Sequence, residues 1–132
     1  MKNEKMRELT IFLIEADNDS RRLFRECLKH NGYKVSLAID EEDALERVGG
    51  EYLKADSVLI NLPGKSPDEV LEVGRRICRA GNLNAPLVVI AGKYASHLEG
   101  TNAQIGEKEY IVYLEDGEQL FDLLSRIVKI EI

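Results

Sequence analysis

The chain predicts an α/β fold in which five strands alternate with five helices and form one parallel, doubly wound sheet. Three observations carry that reading. Short, nearly unbroken apolar runs recur at residues 9–14, 57–62 and 87–91, as strands covered on both faces require. Longer segments between them carry apolar residues at helical spacing. Cap and turn residues separate the two kinds, at Asn31-Gly32, Gly49-Gly50 and Ser66-Pro67.

At 132 residues the chain can bury the core of one domain, read as residues 9–132 behind a polar leader at residues 1–8. The first strand, residues 9–14, is apolar apart from Thr10. Asp19-Ser20 offers a cap for a helix with Leu23, Phe24, Cys27 and Leu28 on its buried face. Residues 35–38 read as a second strand. Asp40 and Asp43 resemble a capping box for a second helix carrying Ala44, Leu45 and Val48.

The third strand, residues 57–62, precedes the clearest helix start in the chain. Ser66 is placed as N-cap, Pro67 as first helical residue and Glu69 as the closing acid. Pro86 leads into a fourth strand, residues 87–91. Residues 93–106 read as a short, broken fourth helix, because Gly100-Thr101-Asn102 is poor helix material. Residues 110–114 give the fifth strand, and residues 118–130 an amphipathic last helix through Leu120, Leu123, Leu124, Ile127 and Val128.

Charge and composition exclude several functions. A net charge of -6 with scattered Lys and Arg argues against nucleic-acid binding, and the pairs Arg21-Arg22 and Arg75-Arg76 read as solvated helix faces. No apolar stretch approaches a membrane span. Cys27 and Cys78 lack metal-ligand spacing and read as reduced thiols of a cytoplasmic protein.

In a doubly wound sheet the site lies at the carboxyl ends of the strands, here Glu15, Asn61 and Ala91. Their surroundings resemble the receiver domain of two-component response regulators from residue 8 to residue 130. The resemblance implies a receiver-type, flavodoxin-like sheet of order 2-1-3-4-5. Receivers carry an acidic pair after strand one, a phosphoacceptor Asp after strand three, Thr or Ser after strand four and Lys-Pro after strand five. The acids hold Mg²⁺, and metal and lysine neutralise the transferring phosphoryl group.

This chain departs from that pattern at all but one polar position. Glu15 matches the first acid, and Ala16 replaces the second; Asp17 follows at a variable place. Asn61 replaces the acceptor, Ala91 the hydroxyl and Tyr113-Leu114 the Lys-Pro pair. An amide has no anionic oxygen with which to attack phosphorus. Glu15 remains as a metal candidate or a solvated acid, and no cofactor is expected. Asp17 and Asp19 read as helix-start residues. Asn61 is expected to hydrogen-bond neighbouring loop backbone, Ala91 to pack, and the Tyr113 hydroxyl to reach Glu15 or Asn61.

The reading is a non-enzymatic, phosphorylation-independent receiver-like module that binds other signalling proteins or an output domain. Partner binding, or a homodimer, is expected on the face of helix four, strand five and helix five. That face would offer Tyr94, His97, Leu98, Tyr110 and Phe121. Two alternatives compete. One is a phosphorelay receiver modified at Asp17 or Asp56, although Asp56 begins its strand at the far end of the sheet. The other is a flavodoxin-like cofactor binder, opposed by the acids of residues 15–19, which would repel a phosphate.

Overall fold

The structure, a computed structural model, describes residues 8–50 and 53–128. In chain order it holds β1 (Thr10–Glu15), α1 (Asn18–His30), β2 (Lys34–Ala38), α2 (Glu41–Gly50), β3 (Ser57–Asn61) and α3 (Pro67–Ala80). Then come β4 (Leu87–Ala91), a 3-10 turn (Ser96–Leu98), β5 (Asn102–Gly106), β6 (Glu109–Tyr113) and α4 (Gly117–Ile127). The polar leader lies outside the described residues except Glu8, as do the last residues expected in the final helix.

The sheet order is β2-β1-β3-β4-β6-β5. Its first five members are parallel, as expected, and the sheet is doubly wound. One core layer packs Phe12, Ile14, Val58 and Ile60 against Ala44 of α2 and Val70, Val73 and Ile77 of α3. The other packs Ile11, Leu13, Leu59 and Val112 against Leu28 of α1 and Leu120, Leu123 and Leu124 of α4. Strand residues alternate between the layers because successive side chains point to opposite faces.

The helix starts follow their capping chemistry. Ser66 accepts from the Glu69 N–H and the Glu69 carboxylate accepts from the Ser66 N–H, the reciprocal box that the sequence spells. Asp40 accepts from the Asp43 N–H at 2.8 Å, but the Asp43 carboxylate takes the Ile39 N–H instead. Helix α1 begins two residues early: Asp17, not Asp19, is its N-cap and accepts from Ser20 N–H at 2.8 Å. Leu23 is 64 % exposed, so it leaves the expected apolar face. The arginine pairs are not merely solvated. Arg75 grips Glu109 at the start of β6 through two bonds of 2.9 and 2.7 Å, and Arg76 grips Glu41 of α2 in the same bidentate way.

Residues 93–106 do not form a fourth helix. They form a 3-10 turn and then β5, which runs antiparallel to β6 and closes the sheet as a sixth strand. Gly100, with φ of 83°, adopts the left-handed conformation that ends the turn, and its N–H donates to the Tyr113 carbonyl at 2.8 Å. Gln119 of α4 fixes the strand in place. Its amide donates to the Thr101 carbonyl at 3.1 Å and to Asn102 Oδ1 at 2.8 Å, while its oxygen accepts from the Glu115 N–H. Gln119→Ala is therefore expected to cost about 1 kcal/mol. Amide exchange should quicken first at residues 100–104; uniform change across the sheet would contradict this local role.

Candidate functional site at the carboxyl ends of the strands

Strand register brings the predicted residues to one end of the sheet. Glu15 lies beside Asn61 across the β1–β3 pair, and Ala91 beside Tyr113 across the β4–β6 pair. Asp56 sits at the opposite end, where its carboxylate accepts from the Thr10 N–H at 2.7 Å.

Glu15 is not the solvated acid that a strand end suggests. It is 0 % exposed, and both carboxylate oxygens are occupied. Oε1 accepts from Asn61 Nδ2 at 2.8 Å and Oε2 from the Asp17 N–H at 3.0 Å. Burial raises its pKa, and the bonds from Asp17 and Asn61 oppose that rise. Asn61 thus spends its amide on a side chain, not on loop backbone as its sequence setting suggests. Asp17 is held below the ordinary carboxylate range by its capping bonds to Ser20.

Arg21 is the neighbour of the strand end that the sequence pattern did not single out. Its guanidinium donates to the Glu15 carbonyl at 2.8 Å and also bonds the Asn18 side chain. One signal could have found it: Arg21 lies one helical turn from the N-cap, facing back over the strand end.

The remaining positions are apolar or turned away. Ala16 is exposed, and Ala91 is buried in the layer beside α3. Tyr113 does not reach Glu15 or Asn61. Its ring meets Tyr94 edge-on, with centroids 5.5 Å apart, while the Tyr94 hydroxyl donates to the Leu114 carbonyl at 2.6 Å. An open cleft of about 510 Å³ adjoins Asn61 between the loops after β3 and β4. Lys65 and Lys93 line it, no carboxylate does, and its one hydroxyl, Ser66, caps α3.

These residues do not fit Mg²⁺. The one carboxylate at the strand ends already accepts two N–H groups, and a hard cation needs several free oxygens. Among the described residues no three His, Cys, Asp or Glu side chains gather as a ligand set.

The expected binding face also changes. Tyr94 and Leu98 are half-buried in the segment after β4, and His97 is exposed on the 3-10 turn. Tyr110 is half-buried on β6, which is not an edge strand because β5 flanks it. Phe121 is half-buried against the α1–α4 layer.

No protein-family model matches the chain, and no curated protein does. Solved structures do. A response regulator receiver protein from Sinorhizobium medicae superposes with a TM-score of 0.67 at 20 % identity, over 92 % of this chain and 94 % of that one. A receiver domain from Methylobacillus flagellatus gives 0.64 at 19 % identity, over 92 % and 99 %. The Thermotoga maritima response regulator TrrA, solved with Mg²⁺ and beryllofluoride, gives 0.63 at 21 % identity, over 90 % and 98 %. The chain has the fold of the response regulator receiver domains.

Proposed function

We propose that this chain is a receiver-like signalling module that works without aspartyl phosphorylation, as a non-enzymatic binder of other signalling proteins or of an output domain in the cytoplasm. One observation carries the reading: the side chain at the acceptor position is an amide, and it donates its N–H to the buried Glu15 carboxylate. Phosphoryl transfer needs an anionic nucleophile and positive charge around the phosphoryl oxygens. Here the nucleophile is absent and the remaining acid is sealed. Modification at Asp17 or Asp56 has no support from geometry, since Asp17 caps α1 and Asp56 lies at the other end of the sheet.

The test exposes the chain to acetyl phosphate, and separately to beryllofluoride, each with Mg²⁺. The expected result is an unchanged intact mass and an unchanged amide NMR spectrum. An added phosphoryl group that survives desalting, or saturable shifts around Asn61, would overturn the proposal.

A further inference from the structure

We infer that the open edge of β5 is a docking strip for an extended, basic-ended segment of a partner protein, which adds to the sheet as one more strand. The inference rests on the reading of the chain as an interaction module and names the surface used.

Strand β5 ends the sheet. The Thr101 carbonyl accepts from the Tyr113 N–H at 2.9 Å, so Thr101 turns inward, and the two-residue alternation of an antiparallel pair turns Ala103 inward too. Asn102 and Gln104 therefore present their backbone N–H and C=O to the open side, and both residues are exposed. Edge strands are commonly guarded by lysine, proline or a covering helix. Residues 101–106 contain no charge and no proline, and among the described residues β5 has a strand partner on one side only. Beside the bulge Ile105 is 47 % exposed, an apolar foothold on an otherwise polar strip.

Charge selects the occupant. Glu99 and Glu107 are exposed at the two ends of the strip, and Glu115 adjoins Gly100. Lys108 is turned away to Asn84, 3.1 Å from its Oδ1. A second copy of this chain is a poor occupant. Antiparallel pairing that uses both outward residues sets Asn102 against Gln104 of the other copy, and the same register sets Glu99 against Glu107. Like charges placed opposite each other destabilise a strand pair. A segment with Lys or Arg at each end of a short β-favouring stretch meets both acids and fills both pairs of backbone groups.

The probe is a fluorescein-labelled peptide, Lys-Val-Thr-Val-Thr-Val-Thr-Lys, titrated against the full chain, with a Glu-ended version as its counterpart. The Lys-ended peptide should bind at least about tenfold more tightly, with shifts centred on the Asn102 and Gln104 amides. Gln104→Pro should weaken binding by about tenfold, since it removes an outward N–H at an edge position that tolerates proline. Gln104→Ala, which loses the same side-chain bonds to the Gly106 and Glu107 carbonyls but keeps the N–H, should bind like the parent. Glu99→Lys combined with Glu107→Lys should reverse the preference between the peptides without touching the backbone. Equal affinity for the two peptides, shifts centred elsewhere, or dimerisation of the chain through the same amides would overturn the inference. A chain that accepts a phosphoryl group yet binds the Lys-ended peptide at β5 defeats the proposed function alone. A chain that stays inert and ignores both peptides defeats the docking strip alone.

Discussion

Asn61→Asp is expected to destabilise the domain by about 2–3 kcal/mol at pH 7, read from urea unfolding. The substitution removes the N–H that Glu15 accepts and sets a second carboxylate 46 residues along the chain against a fully buried one. The pair can hold a single shared proton, so the loss depends on pH. A carboxyl with a raised folded-state pKa binds its proton more tightly in the folded chain. Stability then falls as pH rises from the unfolded value through the folded one. For Glu15 that window opens at its ordinary value of 4.5 and extends upward, and the parent chain shows the slope in mild form. In the variant two carboxyls contribute, so its deficit should widen between about pH 4.5 and pH 7 and shrink below that range. Adding Glu15→Gln to Asn61→Asp reverses donor and acceptor and should recover most of the loss. An Asn61→Asp variant as stable as the parent at pH 7 would contradict the buried contact.

Gly74→Val is expected to cost about 2–4 kcal/mol, against the usual expectation that replacing a helical glycine helps. Gly74 is buried on α3 where the helix crosses β4. A Cβ there would lie 2.7 and 2.8 Å from the two methyls of Leu87 and 3.2 Å from its Cγ. Both methyls and Cγ lie too close, so the whole leucine side chain must shift to admit the added carbon. Leu87 is itself 3 % exposed and packs in the core layer beside α3, so displacing it disturbs that layer. Gly74→Ala should also destabilise, by less. Combining Gly74→Val with Leu87→Ala should recover part of the loss, because the added methyls refill the space vacated; thermal melts of the three variants decide this. A stabilised Gly74→Ala would show that α3 can lift off the sheet at little cost.

The fold was legible where burial imposed a pattern. Residues 9–14, 57–62 and 87–91 are apolar because both sheet faces are covered, and their ends located Glu15, Asn61 and Ala91 to the residue. Ser66, Pro67 and Glu69 fixed the start of α3 because their cap is local chemistry. β5 was not legible. It carries one large apolar residue, Ile105, which is exposed, so no alternation marks it, and its strand state comes from pairing with β6. A short polar turn at Glu107-Lys108 before Tyr110-Ile111-Val112 was the available hairpin signal. The site was half legible. Spacing and resemblance put Glu15 near Asn61, but burial of Glu15 and the bond between them depend on register across the sheet. Tyr113 does not reach Glu15 or Asn61 because its ring packs edge-on against Tyr94, a contact across the β4–β6 end that no local pattern marks.

The β5–β6 hairpin also changes how the last part of the sheet comes together. Partners in the β1–β3 pair, such as Ile11 and Ser57, are 46 residues apart, and a long loop must close before they meet. Gly106 and Glu109 are three apart, and Asn102 and Val112 ten apart. Hairpins of this kind close in roughly 1–10 μs, much faster than parallel crossovers assemble. β6 therefore carries its own partner into the growing sheet and arrives at β4 with one side already hydrogen-bonded. The last strand, whose Glu109 pairs with Leu87 of β4, thus joins the sheet as one edge of a unit that docks.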